Sequence, residues 1–557
     1  MSLNLPKNLF IDSFFRFISI FLLGIFLLLS CKQSSKYSGL SENSGDWKEM
    51  YGFYSNDSYY DFFKNHIKTT PEPDSIDQLM IEFYLNHDPF WSNEGFQAER
   101  IAHLLSIIKN STLHGLPCEM FEYPFLKSAL DSVSQFKIKD QQILYDVLSH
   151  IEWKLTRQYL HYVKSIHFGA LNPAEIHPGK WLYPPVDASI DFYKHVLNNM
   201  DRFEIIIDSL TPKTNSYLRL QKELEKYATI SDTTVLDTFK HTKTYFTDKI
   251  IANLERLRWK TDKPATNYIA INIPDFTLRT FMSDTCAVVL KICCGQTHTK
   301  SQREKLTFVN GVCPSGKWET PLLKSRIYNL VLNPEWNIPY SILKEEYFPK
   351  LKKDKQAIIS KEKLMVYNSR RERVEPGSID WNQYTPKNIP FVLVQSSGKH
   401  NALGVIKFDF PNPESVYVHD TPNKGAFNRK NRAISHGCCR VENPLQLAQI
   451  VWQYNELTEE EIEKLMIVIG VTPVTEMGIL YSDTLKLKEE LFYQKLTENE
   501  KKWYRPLRPS RYNLKKSIPL YIEYFTCFLN EKDSVQYCND VYYKDQGILY
   551  QLNNLKK

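Results

Sequence analysis

The sequence predicts an α+β fold in which a helical N-terminal region precedes a β-rich region, and three observations carry that reading. Apolar residues recur at helical spacing within residues 74–260, the period changes to two from Tyr268 onward, and Gly- and Pro-containing segments punctuate the chain between these stretches. Hydrophobic residues make up 42% of the chain against 24% charged, a globular balance, and 557 residues allow roughly three to four domain-sized units with cores of their own. A net charge of +6 is small for 70 basic and 64 acidic groups, and no nucleic-acid-binding module accompanies it, so nucleic acid is not an expected partner.

Taken in order, the chain starts with Lys7 and Arg16 flanking an apolar run over residues 17–29 that ends Leu28-Leu29-Ser30-Cys31. That run falls short of the roughly 20 residues of a bilayer-spanning helix and fits a signal peptide over residues 1–30. Leu-Leu-Ser-Cys is similar to a bacterial lipobox, which implies lipidation of Cys31 and a periplasmic protein held to a membrane by a lipid anchor. A signal peptide cut elsewhere and an uncleaved anchor are the alternatives. Residues 31–73 then read as a polar tether.

Ile101, Leu104, Leu105 and Ile108, and then Leu144, Val147, Leu148, Ile151 and Leu155, form helical core stripes. Breaks fall at Leu113-His114-Gly115-Leu116-Pro117 and at Phe168-Gly169-Ala170-Leu171-Asn172-Pro173, and a further helix over residues 246–259 is closed by Lys263-Pro264. Strands are predicted at residues 268–274, 278–281, 288–292, 328–332, 363–367, 405–410 and 415–418. Asn443 and Pro444 suit the N-cap and first residue of a helix. A helix-biased stretch follows over residues 454–516, then closing strands at 518–525 and 541–543.

The candidate chemistry lies in two segments, Tyr417-Val418-His419-Asp420-Thr421-Pro422 and Ser435-His436-Gly437-Cys438-Cys439-Arg440-Val441. A free thiol is mostly protonated at neutral pH, so a nucleophilic cysteine needs an imidazole or a helix N-terminus beside it, and both His419 and His436 are within reach of Cys438. Of ten cysteines, setting aside Cys31 and Cys438 leaves an even number, which in an exported protein permits disulfides; Cys527 with Cys538 is one plausible hairpin pair. The alternative is that most are small buried hydrophobes. Adjacent cysteines lack the spacing of a zinc site, and neither metal nor cofactor is expected.

These two segments resemble the L,D-transpeptidase (YkuD-type) catalytic domain. Asn333-Pro334-Glu335-Trp336-Asn337-Ile338-Pro339 and Asn401-Ala402-Leu403-Gly404-Val405-Ile406-Lys407-Phe408 resemble its large periplasmic branch, and Asn253-Leu254-Glu255-Arg256-Leu257-Arg258-Trp259 with residues 155–173 resemble that branch's helical scaffold. The resemblance covers most of residues 75–455. It implies a scaffold domain over residues 74–260, a catalytic domain over 261–470 with a capping insertion or lid at 341–390, and a C-terminal helical extension with closing strands at 471–557. Residues 227–248 leave too little room for the peptidoglycan-binding module that many relatives insert there.

The implied activity is formation of 3→3 cross-links between peptidoglycan stem peptides through a cysteine thioester, with release of D-alanine from a tetrapeptide donor. Cys438 takes the nucleophile position and His419 that of the base, oriented through the backbone carbonyl of Asp420. Backbone N–H groups of the His436-Gly437-Cys438 turn are the expected oxyanion donors. His436 is either a polariser beside the oxyanion or a shaper of the loop. Arg440 is either structural or carboxylate-binding, with a buried ion pair as the alternative. Ser435, Arg440, Tyr417, Asn401 and Trp336 are candidate substrate-binding positions, Cys439 reads as packing, and Lys424, Arg429, Lys430 and Arg432 form a candidate basic rim. Gln395-Ser396-Ser397-Gly398 and residues 297–318 depart from the family pattern. An L,D-carboxypeptidase, attachment of a protein to peptidoglycan, and a non-catalytic peptidoglycan-binding scaffold remain the alternative functions.

Overall fold

The computed structural model describes residues 51–556 except 94–97, 136–137, 185 and 260–264. The expected signal peptide, Cys31 and the first part of the expected tether lie outside the described residues. No helix among those described is long and apolar enough to cross a membrane.

The tether ends earlier than expected. Helix Asn56–Lys68 buries Tyr59, Phe63 and Ile67, which stand one turn apart on one face. Tyr51 is buried too, its hydroxyl donating to Val133 O at 3.0 Å. The aromatic content of this stretch makes it part of the scaffold core. That core is organised around the 28-residue helix Gln141–Phe168, capped at its start by Asp140 and stopped by Gly169 at φ +94°. Its buried Glu152 accepts hydrogen bonds from Tyr84 Oη at 2.6 Å and from the backbone N–H groups of Phe90, Trp91 and Ser92 at 2.7–2.9 Å. A buried carboxylate is tolerated because its lone pairs are all used.

Helix Lys243–Arg258 leads to the β-rich half. Among the described residues fifteen strands follow: β1 (Tyr268–Asn272), β2 (Thr277–Met282), β3 (Thr285–Gly295), β4 (Leu323–Leu332), β5 (Trp336–Asn337), β6 (Leu364–Tyr367), β7 (Arg373–Val374), β8 (Val392–Gln395), β9 (Ile406–Asp409), β10 (Val418–His419), β11 (Ala433–Ser435), β12 (Cys439–Val441), β13 (Ser510–Glu523), β14 (Cys527–Leu529) and β15 (Val535–Tyr537). Nine of them form one sheet in the order β11-β3-β12-β10-β9-β4-β13-β1-β2, and β2 also pairs with β3, so the sheet closes on itself. Alternate residues such as Ile269, Ile271, Leu330, Phe408, Val418, Cys439 and Val441 fill its core together with helix Pro444–Tyr454. A separate sheet, β5-β8-β6-β7, and helix Phe348–Glu362 enclose a second apolar cluster that includes Leu343, Phe348, Leu351, Trp381 and Leu393. This unit contains residues 341–390, which the sequence led us to expect as a capping insertion, and it has a core of its own.

Two expectations for the C-terminal part are corrected. Strand β13 pairs with β4 on one side and β1 on the other, so the catalytic sheet is incomplete without residues beyond 470 and the boundary drawn there cuts through it. Residues 541–543 form a turn, not a strand, because Asp540 accepts the backbone N–H groups of Lys544 and Asp545 and starts helix Asp545–Asn554. The nine described cysteines are free thiols. Cys527 lies opposite Tyr537 in the β14–β15 hairpin, so Cys538 projects from the other face and the expected pairing is geometrically excluded.

Candidate active site

Strand β10 lies between β12, with which it runs parallel, and antiparallel β9; Val418 stands beside Cys439 and Phe408, and His419 beside Arg440 and Lys407. Val418, Cys439, Val441 and Phe408 face the core. Because strand side chains alternate, Lys407, His419 and Arg440 form a row on the opposite face, and Cys438, two residues before Arg440, projects on that same face. The connection from β10 to β12, which runs through β11, thus returns Cys438 to the side of the sheet that carries the imidazole.

His419 is buried, and its Nδ1 lies 2.5 Å from the carbonyl oxygen of Asp420. A carbonyl only accepts, so Nδ1 carries the proton and Nε2 presents its lone pair. Burial, then the cations of Arg440 and Lys407 on either side, hold the imidazolium pKa down to about 3. The Asp420 carboxylate does different work: it accepts Val405 N–H at 3.0 Å and Lys424 Nζ at 2.7 Å. Gly404, at φ +61°, passes so close that a Cβ there would lie 2.1 Å from Asp420 Oδ2.

In the nucleophile loop, Gly437 adopts φ +110°. Ser435 is buried, its hydroxyl accepting from Gly437 N–H at 3.2 Å and donating to Cys438 O at 2.6 Å. The Gly437 amide is therefore engaged, which corrects the expectation that the whole turn supplies oxyanion donors; among the described residues the Cys438 amide makes no such bond. The Cys438 thiol is half-buried, and desolvation pushes its pKa up to about 11, opposed by the Tyr417 backbone and by the cations Arg440 and Lys407. The resting pair is thus neutral thiol and neutral imidazole. Burial is the leading cause for both groups and disfavours imidazolium and thiolate alike, while the cations Arg440 and Lys407 disfavour the first and favour the second.

Residues 266–473 match the L,D-transpeptidase catalytic domain of the YkuD family, and residues 78–224 match its companion Scaffold domain. The chain carries a YkuD-type catalytic domain. It is also similar to a Haemophilus influenzae protein named "Putative L,D-transpeptidase", 29% identical over 342 residues, which are 60% of this chain and 61% of that relative. The chain thus spans less than two thirds of that relative's length.

Other residues of the YkuD-type domain fall out as follows. Arg440 has a buried Nε without a hydrogen-bond partner, and no carboxylate pairs with it among the described residues, so the expected alternative of a buried ion pair is not met. Tyr417 is half-buried under Lys407 Nζ, 4.6 Å from its ring centre, and Lys407 is in turn paired with Asp409 at 2.8 Å. Asn401 is fully buried, donating to Gln395 O and Ser396 O at 3.1 and 2.9 Å and accepting from Leu403 N–H at 2.8 Å. Its amide is used up in shaping the loop that delivers Gly404 and Val405 to Asp420, which corrects its assignment to substrate. Trp336 packs in the capping cluster, 6.3 Å from the Tyr347 ring, rather than beside the thiol. The basic rim also shrinks, since Lys424 is tied to Asp420 and Arg432 donates to Ile292 O and Phe276 O.

Four neighbours, Glu346, Trp318, Lys317 and Lys407, were not singled out from the sequence. His436 Nε2 contacts Glu346 of the capping insertion, and its ring stands edge-on to Trp318 at 4.8 Å. Trp318 and Lys317 fall in residues that read as a local insertion, and Glu346 lies in a π-helical turn, Leu343–Tyr347, a local geometry that sequence spacing does not reveal. Lys407 sat inside a quoted motif, and its alternation with Phe408 was the available signal.

Proposed function

We propose that this chain is a peptidoglycan L,D-transpeptidase that forms 3→3 cross-links through a thioester on Cys438. The observation that supports this most is the His419 imidazole, locked by Asp420 O in the tautomer whose free Nε2 faces the side of the sheet that carries the thiol. Attack of sulfur on the donor carbonyl passes the thiol proton to Nε2, and the C–S bond forms as the carbonyl oxygen takes negative charge. Collapse of that oxyanion expels the D-alanine amine, which receives the proton from His419. The amine of an acceptor stem then attacks the thioester, loses its proton to His419, and releases the cysteine, which is reprotonated. Arg440, beside His419 and with a buried Nε that has no hydrogen-bond partner among the described residues, suits a carboxylate of the donor stem.

The reading further places the protein in the periplasm, lipid-anchored through Cys31, on the strength of residues 17–31. The decisive experiment incubates the purified full chain, in detergent, with disaccharide tetrapeptides and seeks cross-linked dimers by mass spectrometry. Dimers from the wild type and none from Cys438→Ala are expected. Shortened monomers without dimers would identify the carboxypeptidase outcome, and dimers from both proteins would refute the assignment of Cys438.

A further inference from the structure

Among the described residues the Cys438 amide makes no hydrogen bond, and the orientation of its peptide is set from behind by a buried chain of hydrogen bonds. Thr320, 1% exposed, donates through Oγ1 to Gly437 O at 2.8 Å. The same oxygen accepts Gly295 N–H at 2.8 Å, which leaves the hydroxyl proton to be directed at the Gly437 carbonyl. Tyr542, 2% exposed, holds both partners: its hydroxyl accepts Thr320 N–H at 3.1 Å and donates to Gly295 O at 2.7 Å. The approach is tight, because a Cβ on Gly295 would lie 1.8 Å from Trp318 O and 3.0 Å from Gly437 Cα.

In a trans peptide the C=O and the following N–H point in opposite directions. A Gly437 carbonyl drawn inward to Thr320 therefore turns the Cys438 N–H outward, toward the side on which the thiol and the incoming carbonyl lie. Gly437 itself offers little resistance to rotation of this peptide, since without a Cβ its ψ is less restricted than that of any other residue. Without an anchor, the peptide would sample orientations that hide the donor.

We propose that Thr320 is a positioning residue for the oxyanion, fixing the Gly437–Cys438 peptide so that the Cys438 amide meets the charge developing on the attacked carbonyl, and that Tyr542, from the C-terminal segment, holds Thr320 in place. This rests on the acyl-transfer reading above and adds the residues that orient its electrostatic donor.

The test uses the full chain and two reagents that both consume the Cys438 thiol. A β-lactam acylates through a tetrahedral oxyanion; iodoacetamide alkylates by displacement and forms none. Acylation of the wild type reports on the proposed function itself, whereas the ratio of variant to wild type reports on Thr320. Thr320→Val is expected to slow acylation about 100-fold while alkylation stays within about threefold. Thr320→Ser, which keeps the hydroxyl, is expected to restore acylation to near the wild-type rate. Tyr542→Phe is expected to give a smaller loss, about threefold to tenfold, confined to acylation. In steady state the loss in Thr320→Val appears in kcat with KM unchanged. Equal losses with both reagents, wild-type acylation in Thr320→Val, or a Thr320→Ser variant as slow as Thr320→Val would each overturn the proposal.

Discussion

His436 Nε2 lies 2.5 Å from Glu346 Oε1, a contact that joins the nucleophile loop to the capping insertion. Beside it Lys317 Nζ lies 2.5 Å from Glu345 Oε1, and Trp318 stands against the His436 ring. His436, two residues before Cys438, is thereby tied to the insertion. The side chains of His436 and Glu346 are 27% and 42% exposed, so solvent screening leaves such a pair worth about 0–1 kcal/mol. A latch of that strength opens readily. Glu346→Ala is expected to raise the rate of Cys438 alkylation by a bulky maleimide about twofold to fivefold, with the thermal midpoint nearly unchanged. Hydrogen exchange over residues 341–390 checks the same point; an unchanged alkylation rate and unchanged exchange would show that the pair does not restrain the insertion.

A second expectation concerns pH. His419 is depressed to about 3 from its ordinary 6.5. Below pH 6.5 an unfolded chain binds a proton that the native state refuses, so stability is full above pH 6.5 and falls as pH drops toward 3. Cys438 has the opposite sign: raised from 9.0 to about 11, it loses stability only as pH rises above 9. Urea midpoints of wild type and His419→Gln, measured from pH 7 to pH 4, are expected to change in favour of the variant as pH falls. Alkylation of Cys438 by iodoacetamide is expected to keep rising from pH 7 to pH 10; a plateau near neutrality would mean that a thiolate already exists in the resting site.

The Asn401 segment yields a third. Removing its amide leaves Leu403 N–H and the carbonyls of Gln395 and Ser396 without their partner in a buried loop. Asn401→Ala is expected to cost about 2–4 kcal/mol in a denaturant titration. Because the loop carries Gly404 and Val405 onto Asp420, kcat is expected to fall with it, while KM for the stem peptide holds. A raised KM with unchanged stability would return Asn401 to the substrate.

Much of this arrangement was legible in the sequence. Period-two alternation located β1, β4, β6 and β9, and the two motifs located β10 and the thiol, because strand pairing and burial leave a direct mark on hydrophobic order. The roles inside the motifs were less legible. Asn401 and Ser435 look like substrate ligands in one dimension, yet each uses its polar atoms on the backbone nearby. The protonation balance of the pair was not legible either: burial raises the Cys438 thiol and lowers the His419 imidazolium, and the flanking cations Lys407 and Arg440 come beside His419 only once β9, β10 and β12 are side by side. Thr320, Glu346 and Tyr542 reach the loop from segments far apart in the chain, and no local spacing announces such contacts.

The last expectation concerns how the scaffold is joined to the catalytic sheet. Asp545 receives Arg256 Nη1 at 2.6 Å, Lys249 Nζ at 3.3 Å and Thr526 Oγ1 at 2.9 Å, and Asn253 Nδ2 donates to the same threonine at 2.7 Å. All are buried, so the carboxylate compensates two cations from helix Lys243–Arg258. Removing one member of a buried ionic cluster leaves the others uncompensated, which typically costs about 3–5 kcal/mol. Asp545→Ala is therefore expected to lower stability by that order, and Lys249→Met in the same chain to recover part of it, a coupling that a double-mutant cycle measures. Tyr542 stands three residues before Asp545 on the same turn, so loosening this junction also releases the hydroxyl behind Thr320. Acylation by a β-lactam is then expected to decline in Asp545→Ala under conditions where the chain remains folded; wild-type acylation in that variant would show that the turn is held independently of the junction.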